Sequence, residues 1–223
     1  MEEKKTALLL IDLQKESQYG IEGIENVVDN ASLLIEISRK VDMPIIYTRQ
    51  VNRSDAKGLS LHEPLDEFGK PIFYLEGDEA IEIIEQVAPQ EGDLLIDKYR
   101  WSGFHQTSLD LMLKSMGIEH LIIGGFVTDG CVMTSVFDGY FNNYEISLVE
   151  DMCGATSEGV HMSSVMIMAN WVYGIEIFQT KEIIKKLSGD QYRSWKSTKP
   201  DELHFTGSDM KRVFQTKIRG EIL

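Results

Sequence analysis

Asp12, Lys98 and Cys131 each stand where an apolar run gives way to a turn, in "LLLIDLQ", "LLIDKYRWSGF" and "LIIGGFVTDGCV". A carboxylate, an ammonium and a thiol together supply what nucleophilic catalysis needs: an attacking atom, an acceptor for its proton and a cation to hold developing charge. The thiolate is the reactive form, and a helix N-terminus and a nearby lysine both favour it over a free thiol of pKa about 8.5. Asp12 would accept the thiol proton and later protonate a leaving amine, while Lys98 holds both charges in place. Taken singly, each residue has a plainer reading: a small buried hydrophobe, a turn or cap residue, a solvated charge. Their joint position is what points to catalysis. The second cysteine, Cys153 in "VEDMCGA", lacks such neighbours and reads as structural, and two cysteines form no disulfide framework.

The elements that must position these groups are legible as alternation. Runs rich in Ile, Leu and Val recur at "TALLLIDL", "MPIIYTR", "GDLLIDKY", "IEHLIIGGFV", "YEISLVEDM" and "GIEIFQT". They lack period-2 alternation, which fits strands covered on both faces, as in a parallel sheet. Helical spacing marks "IENVVDNASLLIEISRKV", "EAIEIIEQVA", "TSLDLMLKSMG" and "GVHMSSVMIMANWVYG". An α/β domain with helices on both faces follows. In such sheets ligands sit at the carboxyl ends of the strands, where the three reactive residues fall. The segment "VNRSDAKGLSLHEPLDEFGKPIFYLEGDEA" breaks the rhythm and reads as a loop excursion, a common form for lids. Residues 1–180 read as the catalytic domain. Residues 181–223 are more polar and read as a C-terminal helix and arm, packed on the same domain or on a neighbouring subunit.

Other chemistries are poorly served. The formal net charge of −14 over 223 residues opposes a nucleic-acid backbone or an anionic membrane as partner. The opening "MEEKKTALLLIDLQ" has an apolar run that is short and ends at Asp12, unlike a signal peptide or membrane span, so a cytoplasmic location is expected. Neither a Gly-x-Gly-x-x-Gly turn, a Walker A sequence, a Cys-x-x-Cys pair nor a His-Glu-x-x-His helix occurs. His62, His105, His120, His161 and His204 are scattered without metal-ligand spacing. A Cys-His dyad through His105, close to Lys98 in the chain, ranks below the Asp-Lys-Cys reading.

Three ordered motifs together resemble the isochorismatase-like cysteine hydrolases, a group that includes nicotinamidases, N-carbamoylsarcosine amidase, ureidoacrylate hydrolases and biuret hydrolases. They are "LLLIDLQ" with Asp12 and Gln14, "DKYRWSGFHQTSLDLMLKSMGI" with Lys98, Ser102, Phe104 and Thr107, and "LIIGGFVTDGCVMTSVFDGYF" with Cys131. The resemblance spans Lys5 to Thr180. It implies a three-layer α/β/α fold with a six-stranded parallel sheet, and a triad of Asp12, Lys98 and Cys131. It also implies a cis peptide between Phe126 and Val127, with the amide N–H groups of Val127 and Cys131 forming an oxyanion hole. The implied reaction is hydrolysis of a C–N bond in a small amide, carbamoyl or ureido substrate through a thioester on Cys131, in a homodimer or homotetramer.

Departures from the group's patterns narrow this expectation. Nicotinamidases carry an Asp-x-His pair and a further His after the second strand, where this chain has "YTRQVNRSDAKG", so no metal and no cofactor is expected. Ser17 replaces a usual aromatic residue in "DLQKES". Isochorismatases cleave a vinyl ether without a thiol nucleophile, so Cys131 favours C–N chemistry; ether hydrolysis and a non-catalytic ligand-binding domain stand as alternatives. Gln14 and Arg49 at strand ends are candidate substrate contacts, Arg49 for a carboxylate held in bidentate fashion. Trp101 and Phe126 are candidate apolar walls.

Overall fold

The computed structural model describes residues 5–18 and 20–222. The strands are β1 (Thr6–Ile11), β2 (Ile45–Gln50), β3 (Leu94–Lys98), β4 (His120–Phe126), β5 (Glu145–Gly154), β6 (Glu176–Phe178) and β7 (Trp195–Lys196). They form one sheet in the order β3-β2-β1-β4-β5-β6-β7. The first six are parallel, and β7 is antiparallel to β6. The seventh strand departs from the expected six. It comes from the polar tail, where two residues with no strand-like run are recruited by the exposed edge of β6.

The apolar runs do not alternate because both faces of the sheet are covered. Ala7, Leu9 and Ile11 face one core, shared with α2 (Leu109–Ser115), α3 (Met133–Phe141) and α4 (Glu158–Trp171). Leu8 and Leu10 face the other, shared with α1 (Ile24–Lys40) and α5 (Thr180–Leu187). A short α6 (Met210–Val213) and a π-helical turn (Phe214–Ile218) lie against the first of these cores through Val213, Phe214 and Ile218.

The helical expectation for "EAIEIIEQVA" is corrected by the structure. Glu79–Ile81 and Glu85–Val87 are separate 3₁₀ turns, and between them Ile83 pairs with Gln14 in an antiparallel bridge. Lys15 N–H donates to the Glu82 carbonyl (2.8 Å) and Ile84 N–H to the Leu13 carbonyl (2.9 Å), so the extension of β1 claims the backbone groups a helix would have used. Residues 51–78 form a long excursion without regular helix or strand.

The strand order reverses at β1, whose neighbours are β2 and β4. A crevice outside the carboxyl ends of the strands forms at such a switch point. Asp12 follows β1, and Cys131 follows β4 next to it.

Candidate active site

Two glycines let β4 close up on both its neighbours, Gly125 on β1 and Gly124 on β5. Gly125 has φ +132°, and a Cβ there would run into the Ile11 carbonyl; a Cβ at Gly124 would collide with Met152. After β4 the chain passes through a cis peptide between Phe126 and Val127. It then enters a π-helical turn, Thr128–Val132, that leads directly into α3. Gly130 and Val132 N–H groups both donate to the Val127 carbonyl (3.1 and 3.2 Å). Ser135 Oγ donates to the Cys131 carbonyl (2.6 Å) and accepts from Gly103 N–H (2.9 Å), tying the turn to the segment after β3.

Lys98 starts two strands away from Asp12, and strands lie about 4.8 Å apart. A long side chain must therefore cross the end of β2, and β2 supplies the groups that guide it. Lys98 Nζ lies 2.6 Å from Asp12 Oδ2. It donates to Gln50 Oε1 (3.0 Å), the Arg100 carbonyl (3.1 Å) and Cys131 Sγ (3.4 Å). Thr48 Oγ1 donates to Asp12 Oδ1 (2.7 Å). That hydroxyl occupies one carboxylate oxygen and leaves Oδ2 to the Lys98 ammonium. Asp12 itself adopts φ 49°, a left-handed conformation that Asp tolerates better than most residues.

Lys98 is fully buried, which alone would lower its pKa, but Asp12 and then Cys131 outweigh burial and raise it. The ammonium is thus a fixed charge. The Cys131 thiol is pushed up, by burial first and by the Asp12 carboxylate second, against the downward pull of Lys98. The thiol is therefore the resting form of Cys131. This differs from the anion that the helix terminus and lysine suggest in the sequence, because Asp12 already satisfies the lysine.

A protein-family model described as the isochorismatase domain matches residues 6–179. The chain belongs to the isochorismatase family. Ureidoacrylate amidohydrolase RutB of Klebsiella pneumoniae is 26% identical over 205 residues, covering 78% of this chain and 86% of that relative. Among solved structures, N-carbamoylsarcosine amidase from Thermoplasma acidophilum is 26% identical at TM-score 0.64, covering 80% of this chain and 98% of that one. A cysteine hydrolase from Pseudomonas syringae pv. phaseolicola shares the fold at TM-score 0.75 and 24% identity, over 83% of this chain and 93% of that one.

In this isochorismatase-family chain the remaining candidate residues separate. Gln14 is fully buried: Nε2 donates to the carbonyls of Gln50 (2.9 Å) and Ile81 (2.8 Å), and Oε1 accepts from Gln50 N–H (2.9 Å). It ties β1 to β2 and so aims Gln50 at Lys98, rather than offering its amide to a ligand. Arg49 does not join Asp12, Lys98 and Cys131. Its guanidinium is bidentate to Asp97 (2.8 and 3.0 Å), its partner across β2 and β3, and also pairs with Glu82 (2.8 Å). Phe126 is buried in the α1-side core. Trp101 is 66% exposed and lines a groove of about 780 Å³ with Arg100, Met133 and Phe137.

Several residues escape the sequence reading. Thr48 and Gln50 leave a signal, since they are polar at i and i+2 in the last half of a buried strand. Arg100 lines the groove, and among the described residues it has no carboxylate partner; its Nη1 donates to the carbonyls of Gly58 (2.7 Å) and Tyr99 (2.6 Å). Tyr74 comes from the long excursion, held by its N–H to Glu16 Oε2 (2.7 Å). Burial pushes its phenol up to about 12, with the Ser17 hydroxyl opposing and the proximity of Asp12 and Cys131 adding to the rise. No local pattern marks Tyr74 or Arg100. Among the described residues no group of three or more His, Cys, Asp or Glu could hold a metal ion, and no helix is long and apolar enough to cross a membrane.

Proposed function

We propose that this chain hydrolyses a C–N bond of a small ureido, carbamoyl or amide substrate through a covalent intermediate on Cys131. The observation that carries the reading is the thiol 3.4 Å from an ammonium that is itself 2.6 Å from a carboxylate. Similarity to an enzyme named ureidoacrylate amidohydrolase and to one named N-carbamoylsarcosine amidase supports the same bond class.

In this reading Asp12 Oδ2 takes the thiol proton as Sγ attacks the carbonyl carbon. Proton transfer and attack are coupled, because the thiol is held protonated until the carbonyl arrives. The N–H groups of Val127 and Cys131 stabilise the tetrahedral oxyanion, while Lys98 keeps the carboxylate and sulfur aligned. As the intermediate collapses, the C–N bond breaks and Asp12 returns its proton to the leaving nitrogen. Water then gives a proton to Asp12 and attacks the thioester, or the thiocarbamate formed from a carbamoyl group. Cleavage of the C–S bond releases the acid and restores the thiol. Arg100 is the groove's available cation and fits a substrate carboxylate, the role first read for Arg49. Tyr74, near enough to Asp12 and Cys131 to feel both, keeps its hydroxyl protonated beside them.

Cys131→Ala tests the reading. Folded protein that releases no ammonia from ureido and carbamoyl acids, while the wild type forms a covalent adduct on Cys131 by intact mass, is the expected result. Turnover by the variant would overturn it in favour of ether hydrolysis or another thiol-independent route.

A further inference from the structure

The proposed chemistry leaves one expensive group without a role. Glu150, in the middle of β5, is fully buried, and its carboxylate bonds to Arg219 and His161 rather than to Asp12, Lys98 or Cys131. A buried carboxylate persists only when paired and hydrogen-bonded. Arg219 supplies the pair, donating from Nε to Oε1 (2.8 Å) and from Nη2 to Oε2 (3.0 Å). On the other side His161 Nε2 lies 3.4 Å from Oε2. The opposite ring nitrogen, Nδ1, is 2.9 Å from Thr128 Oγ1. Thr128 is buried and follows the cis peptide directly, three residues before Cys131.

Four side chains thus run in line from the C-terminal segment to the turn that carries the nucleophile. Phe214 braces the line, with its ring edge-on to His161 (5.8 Å) and under the Arg219 guanidinium (5.1 Å). Lys211 pairs with Glu158 at the start of α4 (2.9 Å) and anchors the same segment. The chemistry of the line is directional. Arg219 balances the Glu150 charge, so an Nε2–H tautomer of His161 can donate to Glu150 and present Nδ1 as an acceptor for the Thr128 hydroxyl. Arg219 lies outside residues 6–179, the part matched by the isochorismatase family model.

We infer that the C-terminal segment is a positioning device for the catalytic turn: Arg219, acting through Glu150 and His161, holds Thr128 and with it the backbone N–H groups of Val127 and Cys131. The inference rests on the oxyanion role given to those groups above. Arg219, Glu150, His161 and Thr128 are positioning residues, and none of them touches the substrate in this scheme.

The experiment uses the full chain. In Arg219→Met, kcat falls about tenfold or more with KM within about twofold, less than the hundred-fold and larger loss on removing an oxyanion donor outright. Arg219→Lys, which keeps the charge and loses the fork, falls between. In a Thr128→Val background, already low in kcat, Arg219→Met causes no further loss. His161→Phe, which cuts the line while leaving the Arg219–Glu150 pair, lowers kcat alike and serves if Arg219→Met does not fold. Unchanged kcat in His161→Phe, or independent multiplication of the Arg219 and Thr128 effects, overturns the inference. Cys131→Ala run in parallel separates the two readings: if that variant is inactive but His161→Phe is fully active, the positioning line fails and the thiol mechanism stands.

Discussion

Asp12→Asn should yield a more acidic thiol on an inactive enzyme. In the wild type Cys131 Sγ faces two opposing charges, Lys98 Nζ at 3.4 Å and the Asp12 carboxylate that Lys98 grips at 2.6 Å. Burial and Asp12 win, and the thiol is held up. The amide removes the negative charge and leaves a fully buried ammonium with Cys131 as its available anion. A unit charge at that distance is worth about 5 kcal/mol at an effective dielectric constant near 20, before burial is set against it. The net fall should be about 1 to 3 pKa units, the usual effect of an opposite charge within contact range. Alkylation by iodoacetamide at neutral pH should then accelerate at least about tenfold, because the thiolate is the reacting form. A parallel Asp12→Asn, Cys131→Ala protein corrects for Cys153, whose thiol burial also pushes up. Hydrolysis should nonetheless be lost, since no carboxylate remains to carry the proton from sulfur to the leaving nitrogen. A thiol in Asp12→Asn that titrates as high as in the wild type, or retained ammonia release, would refute the electrostatic account.

Four further expectations are independent of that one. Gly125→Ala places a methyl group on the Ile11 carbonyl at φ +132°, so urea denaturation should show a loss of more than about 3 kcal/mol; an unchanged midpoint would count against the close approach of β1 and β4. Tyr74→Phe removes a donor hydroxyl held up to about 12 by burial, and one hydrogen bond of about 0.5–1.5 kcal/mol corresponds to a kcat/KM reduced roughly two- to tenfold. Arg100→Gln should raise KM for carboxylated ureido substrates about tenfold or more relative to their neutral amides, as a charge-assisted hydrogen bond of roughly 1.5–3 kcal/mol predicts; equal effects on both would remove Arg100 from acid recognition. Glu150 is held below the usual carboxylate range, with Arg219 and His161 overcoming its burial. Its contribution is therefore complete above about pH 4.3 and is lost as pH falls through the lower folded value, so thermal melts should show a shallower acid limb in Glu150→Gln.

The polar residues that end apolar strands were legible because a strand buried on both faces tolerates few polar groups. Asp12, Lys98 and the glycines before Cys131 stand out against "LLLI", "LLI" and "LII" for that reason. Periodicity of this kind reports which residues are buried and where an element stops, and so the six parallel strands and their helices could be read directly. It carries no information about what a side chain faces once the elements pack. Arg49 and Gln14 were expected to meet substrate, yet the parallel register sets Arg49 opposite Asp97, and the backbone of Gln50 and Ile81 absorbs the polar groups of the Gln14 amide. The "EAIEIIEQVA" segment has helical spacing but yields its backbone to the extension of β1, since tertiary pairing offers it hydrogen bonds that a short isolated helix cannot match. Tyr74, Arg100 and the line from Arg219 to Thr128 depend on where a long loop and a polar tail come to rest. Those contacts join residues up to 69 positions apart, as in Arg219 to Glu150. Local chemistry therefore determined the reactive groups and the strands that bear them, whereas the charge balance around the thiol and the shell that positions it exist only once distant segments share one desolvated space.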